Sequence, residues 1–193
     1  SFTGTADSLT AYWEGFTDSL SDILHFEYAV GTLPLGSDIV AWTFTRDSSM
    51  VENGLPLENG STYFVSVRAV DQALNISAVS SSNGVVVDVT APVIGSVSDG
   101  LEIDEDWTNS FTTLYGNWSG FTDTISAINH FEYAIGTVSG GTDIVNWVVT
   151  GLDTSFLMDD LNLLSGITYY ISVRATDLVG NSSVVAVSDG ITV

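Results

Sequence analysis

The chain has 193 residues, of which 45 % are hydrophobic and 14 % are charged, so it has enough apolar residues for a buried core and lacks the composition of a disordered chain. Its 24 acidic residues face three arginines and no lysine, and the net charge of −21 excludes binding to a nucleic-acid backbone and disfavours anionic membranes. No apolar run approaches the roughly 20 residues that a membrane helix needs, and the absence of cysteine excludes disulfides and thiol chemistry.

Short β-strands separated by turn residues are predicted along the first half, and no helical period is present. The predicted strands cover residues 9–16, 25–32, 38–45, 48–52, 62–71 and 75–87. Between them lie a polar loop at 17–21 and turns containing Gly and Pro at 33–37 and 53–61.

The strand predicted at residues 62–71 has two distinct faces. Apolar side chains alternate along it and form one column, which comprises Tyr63, Val65, Val67 and Ala69. The opposite face carries Phe64, Ser66, Arg68 and Val70. A period of two indicates a strand whose apolar column faces a sheet-on-sheet core.

The second half repeats the first. Equivalent residues are 105 positions apart early in the repeat and 106 apart later in it, as in the pairs Trp13/Trp118, His25/His130, Asp38/Asp143, Trp42/Trp147, Tyr63/Tyr169, Arg68/Arg174, Asp71/Asp177 and Asn75/Asn181. A period near 100 is the size of a domain rather than of a solenoid unit. Two domains are therefore predicted, at 1–89 and 90–193, joined by a short linker at 88–92 that contains Pro92.

The segment from Gly54 to Asp71, GLPLENGSTYFVSVRAVD, resembles the E–F corner and F strand of fibronectin type III domains. Its Leu55 and Tyr63 match the leucine and tyrosine of that family's tyrosine corner. Leu161 and Tyr169 match them in the second copy, and Trp13 and Trp118 match the tryptophan of strand B. The resemblance implies an all-β fold of two tandem immunoglobulin-like, fibronectin type III-like β-sandwiches with seven strands each.

The two copies differ at their first strand. Residues 93–106 are long enough to supply strand A of the second domain, whereas Ser1 already aligns with Asp106. We therefore expect domain 1 to lack its first strand. The absence is either a boundary of the sequence or a sign that another chain donates the strand.

Catalysis is not expected. His25 and His130 occupy the same repeat position at the start of a predicted strand, which is typical of a structural residue. A catalytic histidine would also need a nucleophile and an orienting acid within reach. The sequence has no phosphate-binding glycine loop, zinc motif or nucleophile elbow.

Two arginines on outward-facing strand positions have acidic neighbours in the predicted sheet. Strand C lies beside strand F in this fold, so we predict the cross-strand pairs Glu27–Arg68 and Glu132–Arg174. The alternative is that each arginine binds an acidic ligand.

Calcium is the one cofactor predicted. In a sandwich of this type, Asp88 of the linker would approach Asp123 of the B–C loop and Asp177 and Asn181 of the F–G turn, which offer the oxygen ligands that Ca²⁺ prefers. The linker also resembles those of calcium-stiffened bacterial adhesin domains. The alternative is that Asp71 and Asp177 only close tight turns through Asx hydrogen bonds. The run Asp104-Glu105-Asp106 is a second, weaker acidic candidate, for which a solvated face is the favoured interpretation.

Segments such as FEYAVGT and SDIVAW resemble tandem modules of large secreted bacterial proteins. We therefore expect a non-catalytic structural or adhesive spacer, or filament segment, of an extracellular or cell-surface bacterial protein. Its partners would be neighbouring repeats or neighbouring subunits. The alternative is an accessory carbohydrate-binding module of a polysaccharide-degrading enzyme, in which exposed tryptophans stack on glycans; the candidates are Trp42, Trp107 and Trp147.

Overall fold

The computed structural model describes all 193 residues, and its only regular elements are β-strands. The chain divides into two compact units, Ser1–Val89 and Thr90–Val193, which are called unit 1 and unit 2 below. None of its elements is a helix of the length and hydrophobicity that would span a bilayer. The predicted all-β class is confirmed.

Unit 1 contains eight strands in two sheets. They are β1 (Phe2–Thr3), β2 (Ser8–Tyr12), β3 (Ile23–Gly31), β4 (Val40–Thr45), β5 (Ser49–Asn53), β6 (Thr62–Asp71), β7 (Ser80–Ser81) and β8 (Val85–Val87). The larger sheet has the order β1-β8-β6-β3-β4, with β7 also paired to β6, and the smaller sheet pairs β2 with β5. All of these pairs are antiparallel except β1 with β8, which is parallel.

Unit 2 also contains eight strands: it has β9 in addition, and an isolated bridge between Trp107 and Thr192 in place of β1. Its strands are β9 (Ser96–Asp99), β10 (Leu114–Ser119), β11 (Ile128–Gly136), β12 (Val145–Gly151), β13 (Ser155–Met158), β14 (Thr168–Asp177), β15 (Ala186–Val187) and β16 (Ile191–Thr192). The larger sheet has the order β12-β11-β14-β15, with β16 also paired to β14. The smaller sheet, β13-β10-β9, corresponds to β5 and β2 of unit 1 with β9 added along β10.

Each unit buries its own core between its two sheets. The central strand β6 has the bounds that its alternation predicts, and its apolar column is buried as expected. The core of unit 1 comprises Leu9, Trp13, Tyr28, Val30, Met50, Leu55, Leu57, Tyr63, Val65, Val67 and Val87. The core of unit 2 comprises Leu114, Trp118, Phe121, Phe131, Tyr133, Ile135, Phe156, Leu163, Tyr169, Ile171, Val173, Ala175, Ala186 and Ile191. Burial of this much apolar surface is the main stabilising contribution to each unit.

The tyrosine corner is present in both units. Tyr63 is only 2 % exposed, and its hydroxyl accepts a hydrogen bond from the backbone N–H of Glu58 at 2.8 Å. In unit 2, the hydroxyl of Tyr169 accepts one from the N–H of Leu164 at 2.9 Å. Each hydroxyl thereby holds the corner that leads into the central strand, as the resemblance implies.

Several predicted strands are too long, and turn backbone explains where they end. The strand predicted at 9–16 stops at Tyr12, shortly before Gly15, which has a φ of 82°. The strand predicted at 75–87 is split into β7 and β8 by a turn at Gly84, whose φ is 89°. The segment predicted as strand A, 93–106, is extended only over β9, because Gly100 turns the chain with a φ of 107°. An alternating apolar pattern does not reveal such left-handed turn positions.

Replacing Tyr63 with Phe is expected to destabilise unit 1 by about 1 kcal/mol, because the Glu58 N–H loses its acceptor while the buried ring is retained. Urea unfolding followed by tryptophan fluorescence measures the effect. Tyr12→Phe is the matched control, since Tyr12 is 84 % exposed on β2. Equal midpoints for the two variants would contradict a stabilising role for the corner.

Candidate functional site

The predicted arginine–glutamate pairs are present in both units. The Nε of Arg68 on β6 donates to Oε2 of Glu27 on β3 at 2.6 Å, and the pair lies at directly opposed positions of the two strands. In unit 2, the Nε of Arg174 donates to Oε2 of Glu132 at 2.6 Å. Both side chains of each pair are partly buried. The cross-strand prediction is confirmed.

Each of these arginines also covers a tryptophan two strands away, on the far side of the strand that carries the glutamate. The guanidinium of Arg68 lies 4.4 Å from the ring centre of Trp42, and that of Arg174 lies 4.4 Å from the ring centre of Trp147. Such cation–π contacts stabilise by about 0.5–1 kcal/mol at exposed sites. In each unit, the arginine that is paired with a glutamate therefore covers one face of a tryptophan ring that the sequence predicts as a sugar platform. Trp107 is different, since 73 % of it is exposed.

The two histidines contact an aromatic ring, a carboxylate and a side-chain amide. The ring of His25 lies 4.8 Å from that of Phe44, and its Nε2 is 3.9 Å from Oε1 of Glu27. His130 lies beside Asn129, with its Nδ1 3.3 Å from the amide nitrogen. Both histidines lie near the start of the strand that pairs with the central strand, a position compatible with the structural role expected from the repeat.

Among the predicted calcium ligands, Asp177 and Asn181 of unit 2 are neighbours at the F–G turn. Asp177 Oδ1 accepts hydrogen bonds from the backbone N–H groups of Val179, Gly180 and Asn181, at 2.7–2.9 Å. Its Oδ2 accepts from the side-chain amide of Asn181 at 2.7 Å, and that amide also donates to the carbonyl of Thr90. Asp177 therefore closes a turn, as the Asx alternative predicts.

Asp71 closes the equivalent turn of unit 1. Its Oδ1 accepts from the N–H of Asn75, and its Oδ2 accepts from the side-chain amide of Asn75, both at 2.8 Å. Both bonds lower the pKa of Asp71 below its ordinary value, and the bond from the Asn75 side chain has the larger effect.

The other two predicted ligands also make contacts within their own units. Asp123 Oδ1 accepts from the N–H groups of Ile125, Ser126 and Ala127, at 2.9–3.1 Å, and so caps the B–C loop. Asp88 belongs to unit 1, where its backbone N–H donates to the carbonyl of Thr3 at 2.8 Å. Calcium binding by Asp88, Asp123, Asp177 and Asn181 stays a prediction.

A group of three carboxylates in unit 2 was missed by the sequence analysis. One carboxylate oxygen from each of Asp99, Asp104 and Asp189 lies within 4.8 Å of the other two. Asp99 ends β9, Asp104 lies in the loop that follows, and Asp189 immediately precedes the turn into β16. Only Asp104 belonged to an acidic run in the sequence. The other two are 90 residues apart, and only the sandwich topology brings them together.

Backbone hydrogen bonds fix this acidic group in place. The N–H of Asp99 donates to Oδ1 of Asp104 at 3.0 Å, and the N–H of Glu105 donates to the carbonyl of Asp99 at 2.8 Å. The N–H of Gly190 donates to Oδ2 of Asp99 at 2.9 Å. A Cβ at Gly100 would lie 2.4 Å from the carbonyl oxygen of Ile103, so only glycine fits at this point of the loop.

Burial dominates the electrostatics of Asp99, which has no exposed surface. Desolvation is the largest cause that raises its pKa from the ordinary 3.8 to about 6, and the charges of Asp104 and Asp189 act in the same direction, against hydrogen bonds from Ser188 and Gly190 that lower it. The pKa of Asp143, in another turn of unit 2, is shifted in the opposite direction. Bonds from the hydroxyl and N–H of Thr137 lower the pKa of Asp143.

Comparisons with known proteins locate the fold. No protein-family model and no curated protein matches the chain. Among solved structures, the chain is similar to domains A168–A170 of titin, with 16 % identity, a TM-score of 0.54, and coverage of 98 % of this chain and 58 % of that one. It is also similar to the chicken CNTN1 FN1–FN3 domains, with 14 % identity, a TM-score of 0.47, and coverage of 96 % and 63 %. The chain thus spans about three fifths of these structures. At 16 % identity the likeness to the titin domains shows the fold alone, which is a tandem of fibronectin type III-like, immunoglobulin-like sandwiches.

The raised pKa of Asp99 predicts that unit 2 becomes less stable as the pH rises. A carboxyl whose pKa is higher in the folded state contributes its full stabilisation below 3.8 and loses it as the pH rises through about 6. The full difference corresponds to roughly 3 kcal/mol. In the presence of a chelator, the unfolding free energy of the wild type relative to Asp99→Asn should therefore fall by a few kcal/mol between about pH 4 and pH 7.

The measurement is denaturant unfolding of both proteins across this pH range. Asp153→Asn, which removes an exposed acid of the same unit, is the control and should give a flat difference from the wild type. A flat difference for Asp99→Asn as well would contradict the raised pKa.

Proposed function

We propose that this chain is a non-catalytic structural or adhesive spacer that belongs to an extracellular or cell-surface protein. The observation that carries the proposal is that the polar residues shared by the two repeats are used to build each sandwich. Equivalent aspartates cap equivalent turns, and equivalent glutamates, arginines and tryptophans form equivalent stacks. The polar residues that the two repeats share are therefore residues that stabilise the turns and sheets of each sandwich.

The C–C′ turns are a further example of this shared use. The hydroxyl of Thr32 donates to Oδ2 of Asp38 at 2.8 Å, and that of Thr137 donates to Oδ2 of Asp143 at 2.7 Å. These bonds satisfy the carboxylates within the turn. A repeated turn-stabilising pair is expected in a module whose role is to hold its shape.

The strand order of unit 1 is suited to carrying tension. The first strand, β1, and the last, β8, run parallel and adjacent, with Val86 N–H bonded to the carbonyl of Ser1 at 3.0 Å and Asp88 N–H bonded to that of Thr3 at 2.8 Å. Tension on the two ends pulls these strands in opposite directions along their axes. The bonds between them are then loaded together rather than one after another.

Unit 2 has an equivalent parallel contact beside its last strand, β16. Trp107 pairs in parallel with Thr192, the N–H of Thr108 donates to the carbonyl of Thr192, and the N–H of Thr192 donates to that of Asp106, both at 2.9 Å. A parallel contact beside the last strand is therefore common to both units and supports a mechanical role, although in unit 2 it follows β9, which pairs antiparallel with β10.

The setting and partners remain part of the proposal. The charge of −21 is easiest to tolerate where salt or divalent cations are abundant, which supports an extracellular or surface location. We infer a bacterial source from the sequence resemblance, and neighbouring repeats or subunits as partners. The predicted calcium site at Asp88, Asp123, Asp177 and Asn181 would stiffen such a spacer.

The carbohydrate-binding alternative has weaker support, because an arginine lies over one face of both Trp42 and Trp147. The proposal predicts that the chain binds no glycan on a glycan array. Glycan binding that is lost in any of Trp42→Ala, Trp107→Ala and Trp147→Ala would favour the alternative and overturn the proposal.

Force spectroscopy on the full chain tests the mechanical role. Because the chain has no cysteine, pairs of introduced cysteines define the pulling direction. Ser1→Cys with Val89→Cys loads β1 and β8 in shear, whereas Leu24→Cys with Asp47→Cys opens the β3–β4 pair from its free end. We expect a higher rupture force in the first direction, since more hydrogen bonds must break at once. An equal or lower force would contradict a load-bearing role.

A further inference from the structure

The acidic group of unit 2 contains a buried oxygen that its own chain leaves without a hydrogen bond. Oδ1 of Asp99 is inaccessible to solvent and has no hydrogen-bond partner, while Oδ2 of the same carboxylate accepts from Gly190. A buried carboxylate oxygen without a partner is costly, because it has lost its hydration. Such an oxygen indicates that a ligand with a positive charge or a donor belongs beside it.

Two further carboxylates converge on Asp99. Asp104 uses Oδ1 to accept the N–H of Asp99 and has its second oxygen available, and both Asp104 and Asp189 are exposed at the surface. One oxygen from each of the three lies within 4.8 Å of the others. Ligands on opposite sides of a Ca²⁺ ion are about 4.6–5.2 Å apart, so three oxygens with these separations can contact one ion.

No basic side chain of unit 2 neutralises this concentration of negative charge. Arg174 is the only lysine or arginine in the unit, and it is bound to Glu132 and Trp147. Three carboxylates at this spacing repel one another, and one of them is fully buried. A bound cation would remove the repulsion and supply the missing partner of Asp99.

We propose that unit 2 binds one calcium ion through the carboxylates of Asp99, Asp104 and Asp189. Oxygen-only ligation favours a hard cation, and the exposed side of the site is open to the water molecules that would complete the coordination of six to eight. The site is separate from the predicted ligands at Asp88, Asp123, Asp177 and Asn181. It also does not depend on the proposed spacer function.

The first repeat provides a matched variant for the test. Asn83-Gly84 of unit 1 occupies the position of Asp189-Gly190 in unit 2, with 106 residues between the equivalents, and both glycines have positive φ, at 89° and 104°. Asparagine is therefore compatible with this turn. Asp189→Asn removes a charged ligand and introduces the residue that unit 1 already has at the equivalent position, Asn83.

The experiment is calorimetric titration of Ca²⁺, and separately of Mg²⁺, into the chelator-treated full chain, with thermal unfolding in parallel. Asp99→Asn, Asp104→Asn and Asp189→Asn are each expected to weaken calcium binding about tenfold or more, and to lose the calcium-dependent rise in melting temperature, because each removes a charged ligand. The controls Asp123→Asn, from the other predicted site, and the exposed Asp153→Asn should bind calcium at this site as the wild type does.

Four results would overturn the proposal. They are no calcium uptake by the wild type, unchanged affinity in Asp104→Asn and Asp189→Asn, equal affinity for Mg²⁺ and Ca²⁺, and loss of all binding in Asp123→Asn alone. The last result would instead support the site that includes Asp123 and Asp177. If Asp99→Asn fails to fold, Asp189→Asn still decides the question, because its substitution is already accommodated in unit 1.

Discussion

The structure depends on the pairing between the central strand of each unit and its antiparallel neighbour. The register is the same in both units: Tyr28 lies opposite Val67 in one, and Tyr133 lies opposite Val173 in the other. In a strand with a period of two, a shift by one residue would move the apolar column out of the core. The same register sets Glu27 beside Arg68 on the outer face. The core and the polar stack are thus two consequences of one pairing.

Features that depend on local pattern were predictable from the sequence. Strict alternation gave the bounds of β6, and the repeat offset with the fold resemblance gave the cross-strand pair of Glu132 with Arg174. Strand ends at Gly15 and Gly84 were not predictable, because a left-handed glycine leaves no mark on hydrophobic periodicity. The acidic group was missed because each aspartate is unremarkable in its own segment. Its proximity arises only when β9 lies alongside β10 and the turn before β16 closes over it.

The molecule accommodates its large negative charge mainly by local means. Several aspartates, such as Asp123 and Asp177, accept three backbone N–H groups each and so act as caps for loops. Caps of this kind stabilise the ionised carboxylate and need no basic side chain. Asp99 departs from this arrangement, since it is buried like Asp177 but its Oδ1 accepts no hydrogen bond. Asp123 and Asp177 therefore stabilise their loops through hydrogen bonds, whereas the carboxylate of Asp99 has an oxygen that is suited to binding an ion.

The placement of the arginines also affects how the protein is degraded. Proteases that cleave after basic residues have only three positions to attack, because lysine is absent. Arg68 and Arg174 lie within central strands that are paired on both sides, so cleavage there requires local unfolding. Arg46, in the bend between β4 and β5, is the one basic residue outside regular structure. Trypsin-like digestion of the folded chain is therefore confined to a single bend, and the rest of the tandem withstands it for as long as it stays folded.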